Sequence, residues 1–234
     1  MKKIYLTVDD GPSCFMKEKI EFLCKKEIPA LWYCRGEYID NSTIFHLVHA
    51  IKNNFIIANH SFSHPYFSTI TLDQAKREIL RTEQLIEKAH FLSGVPQQYK
   101  LFRFPFLDKG GKHEHALQEF LKQEGFQQAL FENITYKYYN DANLEKGIDA
   151  PWTFDACEYA LFSKKSMHKY GLFTVNDFIK RLHINSPEKG FGLLYKDSND
   201  IVLLHDFNQT HLLFEPIMDC LRKLPVEFAL PKFV

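Results

Sequence analysis

The stretch that decides the fold is residues 4–12, Ile-Tyr-Leu-Thr-Val-Asp-Asp-Gly-Pro, close to the start of the 234-residue chain. Its first five residues form a mostly apolar run of the kind found in strands that are buried on both faces. Two adjacent carboxylates, Asp9 and Asp10, follow where this strand ends, and Gly11-Pro12 then indicates a turn. A buried strand that leads directly into charged residues predicts a site at the end of a parallel sheet.

The same pattern continues along the chain, because short apolar runs alternate with segments of helical periodicity. The predicted strands are residues 4–8, 30–33, 55–58, 100–102, 126–131 and 201–204. The predicted helices are residues 15–26, 44–53, 72–92, 114–123, 175–182 and 212–224. This alternation predicts a single α/β domain in which a parallel sheet or barrel is surrounded by helices.

Composition and charge argue against several classes of function. The formal net charge is zero, so no overall field attracts nucleic acid or an anionic membrane. No apolar stretch approaches the roughly 20 residues that a membrane-spanning helix needs, and the run after Lys3 is too short for a signal peptide. We therefore expect a cytoplasmic protein as sequenced, or a secreted one if a leader was removed, and nothing in the sequence specifies an oligomeric state.

The five cysteines are scattered without a C-x-x-C pair, which favours reduced thiols over a disulfide scaffold or a zinc finger.

Two motifs with metal-binding character follow the first and third predicted strands. The pair Asp9-Asp10 is costly at the end of a buried strand, and a bound cation would offset that cost, although a simple turn is the alternative. His60 and His64 are four residues apart and could bind one ion through neutral imidazoles, whereas surface histidines are the alternative. Because both motifs follow strands, we expect them to meet. Two histidines and one carboxylate leave coordination positions open, as hydrolytic metal sites require.

Two further charged residues also follow predicted strands. Arg103 comes after residues 100–102 and could hold a carboxylate through a forked pair of hydrogen bonds, the alternative being a surface arginine beside a turn. His205 comes after residues 201–204, where it could donate a proton to a leaving amine. A histidine that is simply satisfied within the core is the alternative for His205.

Taken together and in this order, the four motifs resemble those of the polysaccharide deacetylase family, also called NodB-homology domains or carbohydrate esterase family four. Residues 7–13 (TVDDGPS) are close to that family's TFDDGP, and residues 59–65 (NHSFSHP) contain its H-[ST]-x-x-H. Residues 103–106 (RFPF) match R-x-P-[FY], and residues 203–206 (LLHD) match its L-x-H-D-like ending. The resemblance covers essentially the whole chain. It implies a distorted (β/α) barrel, the NodB-like deacetylase fold, as one catalytic domain over residues 1–234.

The resemblance also implies a metal centre. Asp10, His60 and His64 would hold a divalent metal, usually zinc in this family, with cobalt or nickel as alternatives. Asp9 would be the general base on a metal-bound water, and Arg103 would orient Asp9.

The remaining implied roles concern the substrate. His205 would protonate the departing amine, and the backbone N–H of Phe106 would help to stabilise the oxyanion. Leu203 would line the pocket for an acetyl methyl group.

One motif departs from the family pattern. The family's fourth motif reads D-x-x-D-W, whereas residues 155–159 read Asp-Ala-Cys-Glu-Tyr and are preceded by Trp152. Glu158 would replace the carboxylate that tunes the catalytic histidine, and it reaches about one methylene further. Tyr159 would replace the tryptophan that walls the pocket. The alternative is that this segment is only an aromatic-rich loop and does not correspond to the motif.

The resemblance thus implies a metal-dependent hydrolase that removes N-acetyl groups from an amino sugar or an oligo- or polysaccharide, acting on C–N bonds other than peptide bonds. Because no leader is seen, a first alternative is a cytosolic amidohydrolase that acts on a non-sugar amide or on a lipid- or nucleotide-linked sugar. A second is a carbohydrate-binding member of the family without turnover. The presence of Asp9, Arg103 and His205 weighs against the second, since a binding protein needs neither base nor acid.

Overall fold

Residues 1–183 and 193–234 are described by a computed structural model of the chain. The strands are β1 (Lys2–Gly11), β2 (Leu31–Cys34), β3 (Ile56–Asn59), β4 (Ala129–Leu130), β5 (Phe154–Asp155), β6 (Asp200–His205), β7 (Val226–Phe228) and β8 (Lys232–Phe233). The α-helices are α1 (Met16–Lys25), α2 (Ile44–Lys52), α3 (Leu72–Ser93), α4 (Glu114–Gln123), α5 (Lys137–Asp141), α6 (Lys164–Tyr170), α7 (Val175–Leu182) and α8 (His211–Arg222).

The main sheet is built around β1, the strand that contains the opening stretch. Its order is β3-β2-β1-β6-β5, with β7 alongside the first residues of β1, and all of these pairings are parallel. From Ile4 to Gly11 every residue of β1 is buried, as its apolar run predicts for a strand covered on both faces.

Backbone contacts continue from β3 round to β6, so the sheet closes into a distorted barrel. Phe102 forms a parallel bridge with Asn59, and the N–H of Ala150 donates to the carbonyl of Phe102 at 2.8 Å. Three residues later the N–H of Thr153 donates to the carbonyl of Ile201 in β6 at 2.9 Å. The predicted fold class is therefore confirmed, with a mostly parallel sheet whose closure depends on isolated hydrogen bonds instead of regular strands.

Two predicted strands are wrong as regular members of this sheet. Residues 100–102 form only the bridge at Phe102. Their three carbonyls accept hydrogen bonds from three different segments, through the N–H groups of Gln127, Asn59 and Ala150. Residues 126–131 shrink to β4, which pairs antiparallel with β8 in a separate two-stranded sheet. The cause is visible at Gln127 and Gln128, whose N–H groups donate to Lys100 and to Val234, so no single neighbouring strand pairs with the whole segment.

Helices α1, α2, α3, α4, α7 and α8 agree closely with the predicted ones, whereas the short helices α5 and α6 were not predicted. Helix α3 begins with a capping box between Thr71 and Gln74 and ends at Gly94, whose φ of 74° closes the last turn at little steric cost. Side chains of α1, α2 and α8 pack on the outer face of the sheet around the fully buried Trp32. Within the described residues, no helix has both the length and the apolar character that crossing a membrane requires.

Candidate active site

A cavity of about 540 Å³ lies at the carboxyl ends of the central strands. These ends meet because the strands are parallel, with Asp9 of β1 in register with Tyr33 of β2 and with His205 of β6. Every residue that the sequence predicts for the site lines this cavity except Glu158, which lies against His205. The cavity-lining members of the predicted set are Asp9, Asp10, His60, His64, Arg103, Phe106, Trp152, Tyr159, Leu203 and His205.

Asp10, His60 and His64 form a compact group of three potential metal ligands. One ligand atom from each lies within 4.8 Å of the other two. The Nε2 atoms of His64 and His60 are 3.3 Å and 4.0 Å from Oδ1 of Asp10. Nδ1 of His60 donates to the carbonyl of Arg103 at 2.8 Å, which fixes the tautomer and leaves its Nε2 lone pair facing the group.

The protonation and bonding of these three residues fit a divalent cation. Burial lowers the pKa of both His60 and His64 to about 3, so each ring is neutral and can act as a ligand at physiological pH. Oδ1 of Asp10 is buried and has no hydrogen-bond partner, which is costly unless a ligand satisfies it. Burial, together with the neighbouring Asp9, raises the pKa of Asp10 to about 6, and a bound cation would favour its ionised form.

A second cluster of possible ligands, Asp155, Glu158 and His205, is satisfied by the protein itself. Asp155 Oδ1 accepts from the N–H of Cys157 at 2.7 Å, and Glu158 accepts from both the backbone N–H and Nδ1 of His205. The unpartnered oxygen that marks Asp10 therefore distinguishes the first cluster as the better candidate for a cation.

The two histidines converge from a tight loop and not from a helical turn. Ser61 and His64 both have positive φ, at 63° and 58°, a conformation that L-residues adopt at a cost. Asn59 Oδ1 accepts from the N–H of Ser61, and Ser61 Oγ accepts from the N–H of His64. These local bonds hold the loop in the shape that turns both imidazoles toward Asp10.

Asp9 is held by a buried arginine. Nη1 of Arg103 donates to Asp9 Oδ1 at 2.7 Å, and the guanidinium stacks 4.3 Å from the ring centroid of Tyr33. Its other donors reach the carbonyls of Ala150 and Pro151, so the predicted forked pair with a carboxylate is wrong and a single hydrogen bond takes its place. Burial raises the pKa of Asp9, and Arg103 opposes that rise.

His205 faces two carboxylates on the segment that departs from the family pattern. Its Nδ1 lies 3.4 Å from Glu158 Oε2 and 4.0 Å from Asp155 Oδ1. Burial would lower the pKa of His205, but these two carboxylates raise it to about 10, so the ring is protonated at neutral pH. Tyr159 packs edge-on against the imidazole with the ring centroids 4.7 Å apart. Of the two carboxylates, Glu158 is the nearer to the histidine.

Aromatic side chains border the cavity near both ends of the predicted site. The ring of Phe106 meets His64 edge-on with the centroids 4.5 Å apart and stacks on Tyr66 with the centroids 4.0 Å apart. Phe106 and Tyr66 are nevertheless each more than half exposed. Near His205, the ring of Phe207 lies parallel to the imidazole at 5.7 Å.

Several residues that line the cavity were not predicted from the sequence. Arg35 follows β2 directly, and its Nη1 lies 3.7 Å from Asp10 Oδ1, so its position at a strand end was a usable signal. Phe207 stands two residues after His205. Tyr170 and Arg181 come from α6 and α7, and no sequence motif marks them.

Comparison with known proteins gives a family match. Residues 1–129, more than half of the chain, match the family described as polysaccharide deacetylase. A chitooligosaccharide deacetylase from Rhizobium leguminosarum bv. phaseoli is 33% identical over 88 residues, which cover 37% of this chain and 38% of that protein. The chain thus spans well under two thirds of the length of such curated relatives.

Solved structures resemble the chain over nearly its whole length. A polysaccharide deacetylase from Bacillus cereus aligns with a TM-score of 0.65 at 17% identity and covers 98% of this chain and 92% of the other. A family 4 carbohydrate esterase from Streptomyces lividans, in complex with acetate, aligns with a TM-score of 0.62 at 18% identity, covering 96% and 90%. At this identity the structural likeness establishes the fold alone.

Proposed function

We propose that this chain, which belongs to the polysaccharide deacetylase family, is a metal-dependent hydrolase that removes N-acetyl groups from an amino sugar or an oligo- or polysaccharide. One observation carries the proposal. The metal-ligand candidates Asp10, His60 and His64, the buried carboxylate of Asp9 and the imidazole of His205 all line the same cavity. The similarity to a chitooligosaccharide deacetylase supports an N-acetylated sugar as the substrate.

The proposed metal ligands are Asp10 through Oδ1 and both histidines through Nε2. Two imidazoles and one carboxylate suit zinc and leave positions for water and substrate, with cobalt or nickel as alternatives. When bound, a divalent cation lowers the pKa of a coordinated water and polarises a substrate carbonyl. The positive charge of Arg35, 3.7 Å from Asp10, adds to the field that favours anionic groups here.

Asp9 is the proposed general base. Its Oδ1 is held by Arg103, while Oδ2 lies 3.5 Å from Nε2 of His60, on the side of the metal-ligand group. Burial raises the pKa of Asp9, so its carboxylate is a stronger base than an exposed aspartate. Asp9 accepts a proton from the attacking water as the water oxygen bonds to the acetamide carbon.

His205 is the proposed general acid, and the backbone of Phe106 the proposed oxyanion donor. As the C–N bond breaks, the protonated imidazole gives its proton to the departing nitrogen, so the products are acetate and a free amine. The N–H of Phe106 would donate to the developing oxyanion. Leu203, Trp152 and Tyr159 would enclose the acetyl group, since all three line the cavity.

Acetate release is the test of this proposal. Wild-type protein loaded with zinc or cobalt is expected to release acetate from N-acetylglucosamine oligomers, and Asp9→Asn is expected to abolish turnover while retaining bound metal. Asp219→Asn, which changes an exposed aspartate of α8 in the same way, is the matched control and should behave as wild type. If fully metal-loaded wild type releases nothing from any N-acetyl sugar tested, the proposal fails. Turnover on non-sugar amides would then favour a different amidohydrolase, and sugar binding without turnover a carbohydrate-binding protein.

A further inference from the structure

We infer that Glu78 of α3 is a positioning residue for the metal centre, and that it fixes the loop between the two histidine ligands. The inference rests on the metal site of the proposed function. Glu78 is half-buried and belongs to none of the four motifs that mark the site in the sequence.

The contacts of Glu78 are concentrated on the loop between the ligands. Oε2 accepts from the backbone N–H of Phe62 at 3.0 Å and from that of Ser63 at 2.6 Å. Oε1 accepts from the hydroxyl of Ser63 at 2.9 Å. One carboxylate thus receives three hydrogen bonds from two consecutive residues that lie midway between His60 and His64, and bonds to an ionised acceptor are among the stronger ones.

The loop needs such a support because its backbone is strained. Ser61 and His64, on either side of the segment that Glu78 binds, both have positive φ. Strained conformations persist when the surrounding structure holds them in place, and side chains that orient metal ligands are part of what sets the affinity of a site. Glu78 therefore anchors the loop between His60 and His64 to the 22-residue helix α3. This contact helps to set where His64 lies relative to His60.

Neighbouring contacts hold the same loop without replacing this bond. The guanidinium of Arg81, one turn further along α3, lies 3.5 Å from the ring centroid of Phe62. On the other side, the N–H groups of Gly36 and Glu37 donate to the carbonyls of Ser61 and Phe62. These contacts fix the carbonyls of Ser61 and Phe62 and the ring of Phe62, whereas Glu78 accepts from the N–H groups of Phe62 and Ser63.

The test is the affinity of the metal-free protein for Co²⁺, measured by competition with a chromophoric chelator. Glu78→Ala is expected to weaken Co²⁺ binding about tenfold or more, as substitutions behind metal ligands typically do. Glu78→Gln keeps an oxygen that can accept from both N–H groups, so its affinity should lie between that of Glu78→Ala and wild type. Glu87→Ala is the matched control, since Glu87 lies on the same helix and its carboxylate pairs with Lys100.

Two readings separate positioning from a general loss of structure. Metal-free Glu78→Ala should still unfold in one cooperative transition, at a lower melting temperature than metal-free Glu87→Ala because three hydrogen bonds are lost. The visible spectrum of bound Co²⁺ should change only in the Glu78 variants. If Glu78→Ala does not fold, Ser63→Ala takes its place and should weaken binding several-fold, because it removes one of the three hydrogen bonds.

Affinity within twofold of wild type in Glu78→Ala overturns the inference, as does weakened binding with an unchanged Co²⁺ spectrum, because the ligands would then be positioned as in wild type. A wild-type protein that binds no Co²⁺ overturns the proposed metal site itself. The failure of the inference alone is therefore distinct from failure of the proposed function.

Discussion

Replacing Glu158 with glutamine tests how the protein keeps His205 protonated. Burial alone would lower the pKa of His205, but Glu158 and then Asp155 raise it to about 10. Removing an opposite charge at this range shifts a pKa by roughly 1–3 units, which corresponds to about 1.4–4 kcal/mol of coupling. Glutamine keeps the shape of the side chain and an oxygen for the N–H of His205, so the expected change is electrostatic.

The assay is the pH dependence of kcat/KM for acetate release. A general acid loses its proton as pH rises through its pKa, and kcat/KM then falls. This fall, the basic limb of the pH profile, is expected near pH 10 in wild type and at lower pH in Glu158→Gln. Asp219→Asn should leave the limb unmoved. An unmoved basic limb in Glu158→Gln, with the protein folded and metal bound, would refute the assignment of Glu158 and His205 as an acid pair.

The pair of His205 and Glu158 should also make stability depend on pH, in a direction set by the raised pKa of His205. The folded-state pKa of His205 lies above the ordinary histidine value of 6.5, so protonation stabilises the folded chain fully below pH 6.5. This contribution is lost as pH rises toward 10. Urea unfolding of the metal-free protein should therefore show a smaller decline over that range in Glu158→Gln than in wild type.

Three further predictions follow from buried contacts of the site. Arg103→Met strands the charge of Asp9 in the interior, so urea denaturation should show a loss of about 3–5 kcal/mol, and a loss below about 1 kcal/mol would argue against a buried pair. Gly11→Ala would place a methyl carbon 2.6 Å from Trp32 Nε1. We expect a cost of about 1–3 kcal/mol, and an unchanged melting curve would contradict the close approach. Zinc at a hundredfold excess over its Kd should stabilise wild type by about 2.7 kcal/mol but not His64→Ala, and an equal effect on both would exclude His64 as a ligand.

The framework of the fold could be predicted from the sequence because its elements have strong periodicity. Predicted helices 114–123 and 175–182 coincide with α4 and α7, and the buried apolar runs correspond to β1, β2, β3 and β6. Strands β5 and β8 have two residues each, which is too short for an alternating pattern to be read. Their pairing depends on which distant segment reaches them, a property of the whole chain.

The centre of the site could be predicted for a related reason. Asp9, His60 and His205 each stand at or directly after a buried strand, and parallel strands bring such positions to one edge of the sheet. The supporting contacts could not be predicted, because they join residues far apart in sequence. The bonds of Arg103 to Ala150 and Pro151, and those of Glu78 to the histidine loop, are of this kind.

The central claim is that one divalent ion, held by Asp10, His60 and His64, makes the chain a deacetylase. The most direct measurement titrates metal-free protein with Zn²⁺ while following both bound metal and acetate release from N-acetylglucosamine oligomers. Activity should rise in proportion to bound metal and stop rising at one equivalent, and His64→Ala should show neither tight binding nor activity. Full activity in the metal-free protein, or equal activity in zinc-treated His64→Ala, would contradict this claim.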